Sequence, residues 1–211
     1  MRAGAAAHIR PCRDGDRAAI LAIVNAAAEA YRGVIPADRW HEPYMPAAEL
    51  DAELAAGVRF LGYEDDGALT GVMGLQSKND VDLIRHAYVR PGSQRHGIGG
   101  ALLDQLRAQS TRRMLVGTWA AAAWAIRFYQ RHGFALVSPE QKTRLLKTYW
   151  SIPDRQIDTS VVLADPPLEA LCTVQRTAGT ALRAARLLRP AMPSKRLIGQ
   201  QNALDAGLTA H

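Results

Sequence analysis

Apolar positions along the chain switch repeatedly between the two periods a backbone allows: alternation for a strand and a 3.6-residue stripe for a helix. A short strand is predicted at residues 8–12. It leads to a helix capped by Asp14 or Asp16, with Ile20, Val24, Ala27 and Tyr31 as its stripe and Gly33 as its stop. The stretch GVIPADRWHEPYMPAAEL breaks the pattern with prolines and aromatics. A second helix follows, carrying Leu50 and Leu54 and ending at Gly57. Residues 58–63 and 68–75 are predicted to form a hairpin around Asp66-Gly67, and residues 82–89 a further strand.

Beyond that strand a glycine-containing loop opens a helix with Ile98, Leu102, Leu103 and Leu106 on one face. RMLVGTW reads as another strand, and AWAIRFYQRHGF as a helix closed by Gly133. A short strand is expected at residues 134–137, one or two helical turns at 140–146, and a last strand at 157–163. Strands and helices mixed at these lengths specify an α/β or α+β domain over residues 1–164. The extension 165–211 differs. Leu171, Val174, Ala178, Leu182, Ala185 and Leu188 fall at helical spacing beside Arg176, Arg183 and Arg186, but Gly179 weakens that helix and Pro190 ends it. A tail that is partly helical or disordered, with no activity of its own, is expected there.

Composition narrows the function classes. With 48% hydrophobic and 22% charged residues the chain reads as an ordinary globular protein. Its longest apolar run, WAAAAWAI, falls far short of the roughly 20 residues of a membrane span. The N-terminal MRAGAAAHIR does not fit a signal peptide, and Cys12 and Cys172 have no metal-binding spacing. A cytoplasmic protein without metal or membrane contact is expected. The net charge is +6, and six Lys/Arg against three Asp/Glu in the last 47 residues divide it equally between tail and domain. Neither part has a dense basic block, which leaves nucleic acid the weakest of the possible partners.

The segment HAYVRPGSQRHGIGGALLDQL carries the first candidate chemistry. A Walker A loop requires Gly-x4-Gly-Lys-Ser/Thr, and here Ile98 and Gly99 stand where the Lys and hydroxyl belong. A dinucleotide fingerprint starting at Gly97 and Gly99 meets Leu102 at its third glycine. What remains is Gln94-Arg95-His96-Gly97-Ile98-Gly99 between a strand and an amphipathic helix. Such a junction aims free backbone N–H groups and a positive helix end at one spot, where glycines allow an anion close approach.

Val89-x-Pro91 followed by Gln94-x-x-Gly97-x-Gly99 resembles the acyl-CoA pyrophosphate signature of the GNAT superfamily of N-acetyltransferases. AIRFYQRHGF, about 30 residues downstream, resembles that superfamily's motif in which a helix presents a Tyr before a Gly-Phe turn. The resemblance covers residues 8–163. It implies a central mixed, mostly antiparallel twisted sheet with helices on both faces, and acetyl-CoA as acyl donor. It also implies an amine, on a small molecule or a protein, that attacks the thioester directly. Carried onto this sequence, it assigns Tyr88, Val89, Gln94, Arg95, His96, Gly97, Ile98, Gly99 and Gly100 to the coenzyme and Tyr129 to protonation of the departing thiolate. Ala122 departs from the pattern, standing where relatives often carry Asn.

The base is less directly marked. Arg85 occupies the strand where a Glu would have served, leaving His86, whose imidazole suits proton abstraction, and Asp82 behind it. His86 is expected to share a face with Ile84 and Tyr88. The connection after the first helix, with Tyr31, Trp40, Glu42 and Tyr44, would form the acceptor side. A CoA-binding sensor without turnover is the alternative reading, and a homodimer is left open.

Overall fold

In the computed structural model, which describes residues 6–168, most of these elements form where the pattern places them. β1 (His8–Pro11) and α1 (Arg17–Ala28) are followed by a 3₁₀ turn at Glu29–Tyr31 and by α2 (Ala47–Ala55). Gly33 and Gly57, at φ +72° and +91°, close the two helical segments in the left-handed conformation that glycine adopts without steric cost. β2 (Arg59–Asp65) and β3 (Ala68–Lys78) make the expected hairpin. Both Asp66 and Gly67 have positive φ there, 48° and 76°, the condition of the turn whose twist matches its strands.

β4 (Val81–Val89) extends the antiparallel meander, and α3 (Ile98–Gln109) crosses back to β5 (Arg113–Trp119), which lies parallel to β4. A parallel neighbour needs such a crossover. The remaining elements are α4 (Ala123–Arg131), β6 (Ala135–Leu136), α5 (Pro139–Tyr149), α6 (Asp154–Asp158) and β7 (Ser160–Asp165). The seven strands run in the order β1-β2-β3-β4-β5-β7-β6, every neighbouring pair antiparallel except β4 with β5.

Alternation along the strands splits the core. On one face Ile98, Leu102, Leu103 and Leu106 of α3 pack with Tyr129 of α4, Met73, Ile84 and Val116. On the other, Ile20, Ile23 and Val24 of α1 and Leu50 of α2 pack with Phe60 and Val72. Leu145, Leu146 and Ile157 cover Leu83, Leu115 and Val162, on strands β4, β5 and β7. Leu102 and Leu103 are fully buried, and truncating either to Ala would cost about 2–5 kcal/mol. The start of α3 is drawn tight to the sheet because Gly71 has no side chain: a Cβ there would lie 2.6 Å from Ile98 Cγ2.

Two expectations are corrected. α5 is a full helix of 11 residues rather than a turn or two. Ser138 caps it, its hydroxyl accepting from Gln141 N at 3.2 Å while Gln141 Oε1 accepts from Ser138 N at 3.0 Å, with Pro139 in the first turn. The last strand begins at Ser160 rather than at residue 157, because Pro153 and Asp154 start the short α6. Ile157 is buried there from a helix instead of a strand. β7 runs one residue past the expected boundary at 164, and Leu168 still packs beside it. The tail reading at residues 169–211 lies outside the described residues.

Candidate active site

The glycine loop begins with a 3₁₀ turn at Pro91–Ser93 and passes through Arg95 (φ +67°) and Gly97 (φ +77°) into α3. Gly97 takes the N-cap position with no side-chain cap, and the first amide to meet a helical carbonyl is Ala101 N, on Gly97 O at 2.9 Å. The amides of Ile98, Gly99 and Gly100 are left pointing off the helix end, the arrangement that binds anions. The side chains around them are crowded out. A Cβ on Gly100 would lie 2.9 Å from His132 Nε2, and one on Gly99 would touch the Phe128 ring at 3.4 Å. Arg95 and His96 are exposed at the rim, while the Ile98 side chain is buried in the core, so its part in anion binding can only be its backbone. Gln94 Nε2 donates to Val89 O at 3.2 Å.

A cavity of about 510 Å³ runs from this loop through the sheet. It exists because β4 and β5 stay paired only as far as Ile84 and Val116 and then diverge. Val89, Gln94 and Gly99 line one end, Tyr129 and Phe128 of α4 the floor, and Tyr31, His86 and Tyr88 the other end. Tyr129 is 5% exposed. Its hydroxyl has no hydrogen bond among the described residues, and burial pushes its pKa well above the usual phenol value, so it stays protonated. Ala122, at the N-cap of α4, is fully buried, and no side chain caps that helix.

The far end is built around a β-bulge. Across from Met73, β4 places an extra residue: the pairing steps from Val72–Tyr88 to Gly74–Arg85, and His86 adopts φ +49°. Gly74 accommodates the bend, since a Cβ would lie 3.0 Å from Arg85 O. The bulge overturns the expected facing. Ile84 packs with α3 and Tyr88 with α1, and His86 turns toward Phe60, stacking with ring centroids 6.0 Å apart. Arg85 and His86 consequently meet the same partner, Glu53 of α2. Arg85 binds Glu53 Oε1 at 2.5 Å and Gln76 Oε1 at 2.8 Å, while His86 Nε2 lies 3.3 Å from Glu53 Oε2. Burial raises the Glu53 pKa, but His86 and the charges of Arg85 and Lys78 outweigh it and hold the carboxyl below its usual range. Asp82, the second base candidate, is buried at the opposite end of β4. It accepts from Ser77 at 2.7 Å and Ser110 at 2.6 Å.

Of the acceptor-side residues, Tyr31 and Tyr44 stack at 6.2 Å, and Tyr31 also touches Tyr88 and Trp124 at 6.4 and 5.3 Å. Trp40 joins through Tyr44 at 5.5 Å. Burial pushes the Tyr31 phenol up to about 12, despite a hydrogen bond to Thr118, and raises Tyr44 as well. These phenols remain neutral across the ordinary pH range. Glu42 is exposed and held by Arg32 at 2.5 Å, so its charge is already compensated.

The family model described as an acetyltransferase (GNAT) domain matches residues 25–148, from the second half of α1 into α5. The chain belongs to the GNAT acetyltransferase family. It is therefore an acyltransferase. Among solved structures, the PaiA N-acetyltransferase of Thermoplasma acidophilum, in complex with coenzyme A, aligns over 76% of this chain and 98% of its own at 16% identity and a TM-score of 0.58. A GNAT-family acetyltransferase of Staphylococcus aureus Mu50 aligns over 75% and 98%, at 17% identity and a TM-score of 0.56. The ribosomal-protein-S18-alanine N-acetyltransferase of Escherichia coli aligns over 75% and 92%, at 18% identity and a TM-score of 0.53. Each of the three likenesses is one of fold. No curated protein matches the chain.

In this GNAT acetyltransferase Glu53 is the residue that sequence reasoning missed. It lies 32 positions from Arg85, on the polar side of an ordinary amphipathic helix, and only the packing of α2 against β4 brings the two together. Among the described residues no cluster of three or more His, Cys, Asp or Glu could hold a metal ion, and no helix is long and apolar enough to cross a membrane.

Proposed function

We propose that the protein transfers an acetyl group from acetyl-CoA to a primary amine, small-molecule or protein-borne, by direct attack in a ternary complex. The observation that carries this reading is the divergence of β4 and β5 beyond Ile84 and Val116. It joins the uncapped start of α3, Tyr129 and His86 in a single cavity. The residues present fit the coenzyme: three free amides and a positive helix end suit a pyrophosphate, and at Gly97 nothing lies within 4 Å of the place a Cβ would take. Val89, whose backbone the divergence leaves without a β5 partner, would receive the pantetheine arm; Tyr88 would flank it, and Arg95 and His96 would add charge at the rim.

Bound acetyl-CoA supplies an activated acetyl thioester. His86 takes the proton that an arriving alkylammonium, of pKa about 10.4, must lose before its lone pair can attack. As the N–C bond forms and the C–S bond breaks, one proton passes from nitrogen to sulfur. Tyr129 serves the sulfur end of that transfer. Its raised pKa makes full donation to a thiolate of about 8.5 uphill, so its main contribution is a hydrogen bond to the developing charge. Tyr31, Trp40 and Tyr44 would wall the acceptor, with Glu42 at the outer rim.

Thermal unfolding with acetyl-CoA, CoA, NAD or ATP, followed by thiol release over an amine panel, tests the proposal. A ligand at 100 times its Kd adds about 2.7 kcal/mol, which raises the midpoint by about 5–10 °C for a domain of this size. A shift with the CoA species alone, together with amine-dependent thiol release, is expected. No shift with CoA species overturns the proposal, and a shift without thiol release for any amine favours a sensor.

A further inference from the structure

The contact between α2 and the β4 bulge has a feature that ion pairing with Arg85 does not explain. Glu53 Oε2 and His86 Nε2 are both sealed from solvent, face each other at 3.3 Å, and have no hydrogen bond to anything else. At that separation the N–H is not yet aligned on the carboxylate, and a small rotation of either side chain closes the bond. Leaving two buried polar atoms unpaired costs the desolvation of both, which drives that closure.

The surroundings hold both groups for it. Glu53 Oε1 is fixed by Arg85, whose other arm is fixed by Gln76, and Gln76 Nε2 in turn donates to Ala56 O at 2.8 Å, just beyond α2. This closes a loop of hydrogen bonds from α2 through β3 and β4 and back to α2. Phe60 stacks on the imidazole from β2. The side chains of His86 and Glu53 are 14% and 18% exposed. Glu49, one turn before Glu53, is a second acid whose charge reaches His86, and burial raises its pKa.

The imidazole therefore has an inner and an outer nitrogen. Nε2 faces Glu53. Nδ1 makes no hydrogen bond and is not among the sealed atoms, and His86 lines the cavity. We propose that Glu53 is a positioning residue that holds neutral His86 as its Nε2–H tautomer, so that Nδ1 presents the lone pair that takes the amine proton. The inference rests on the acetyltransferase reading with His86 as base. The proton balance is simple. Nδ1 gains the proton the amine loses, the resulting imidazolium donates from Nε2 to the Glu53 carboxylate, and Nδ1 later returns its proton to solvent. Glu53 is never protonated.

The test is long-range ¹H–¹⁵N NMR of the His86 ring in the free protein at alkaline pH, with steady-state kinetics on the same samples. The parent protein should show the Nε2–H tautomer. In Glu53→Gln the amide oxygen stays on Arg85 and the NH₂ group turns to His86, donating to Nε2, so the Nδ1–H tautomer should replace it. kcat should then fall by about 100-fold, with KM for both substrates nearly unchanged, because the abstracting lone pair is lost while binding is not. Glu53→Asp keeps a carboxylate and should recover most of the Nε2–H form and of kcat. A parent protein in the Nδ1–H form overturns the inference without any variant. So does a Glu53→Gln protein that inverts the tautomer yet turns over normally. The tautomer is read without substrate, so failure of the acetyltransferase reading appears separately, as absent thiol release in the parent.

Discussion

At the α3 end of the cavity the binding groups are backbone amides, brought together by a local run of glycines and a helix start between Pro91 and Ala101. At the bulge end they are side chains from α2, β2, β3 and β4, and the two that meet at 3.3 Å lie 33 positions apart. The first kind of site tolerates change in the neighbouring side chains as long as the glycines remain. The second fails with one substitution, but its partners can be recruited from anywhere the fold delivers them. An anion cradle is thus a property of a segment, whereas a proton-transfer pair is a property of the packing.

This contrast can be broken by experiment. His86→Ala should produce the largest effect, a fall in kcat of about 100- to 1,000-fold at unchanged acetyl-CoA affinity, measured by thiol release and by calorimetric titration. Turnover like the parent's would remove the bulge end from the chemistry altogether.

Gly99→Asp addresses the other end. A carboxylate on the second residue of α3 suits the helix dipole, and its Cβ would rest in contact with the Phe128 ring, so the unfolding midpoint should change little. A negative charge beside the free amides would, however, repel the pyrophosphate, raising KM for acetyl-CoA by about 100-fold, or about 2.7 kcal/mol, with kcat nearly intact. Loss of kcat with KM preserved would mean the two ends are not separable.

The smallest effect is expected at the floor between them. Tyr129→Phe removes a hydroxyl that has no hydrogen-bond partner among the described residues, so folding should be unaffected. kcat should drop by about tenfold, the loss of one hydrogen bond to a charged group. The effect should shrink with an acyl donor whose thiol is more acidic, because such a leaving group needs less help.

The sequence by itself determined the elements whose cause is local. The hairpin at Asp66-Gly67, the stripe of α3, the strand RMLVGTW and the stop at Gly133 all follow from periodicity and from residues that adopt positive φ cheaply. The glycine loop was legible for the same reason, since an anion site made of backbone needs only neighbouring residues. Even the start of α5 was written locally, in the Ser138–Gln141 cap.

Tertiary structure decided what depends on register and on distant partners. One extra residue in β4 reverses the side-chain alternation, which sends His86 to the α2 side and separates it from the face of Ile84. No period in the sequence announces that residue, because the cause lies across the sheet at Gly74 and in the divergence of β5. Glu53 was hidden for the same reason: a carboxylate on a helix's polar side reads as solvated until the fold turns it onto a strand.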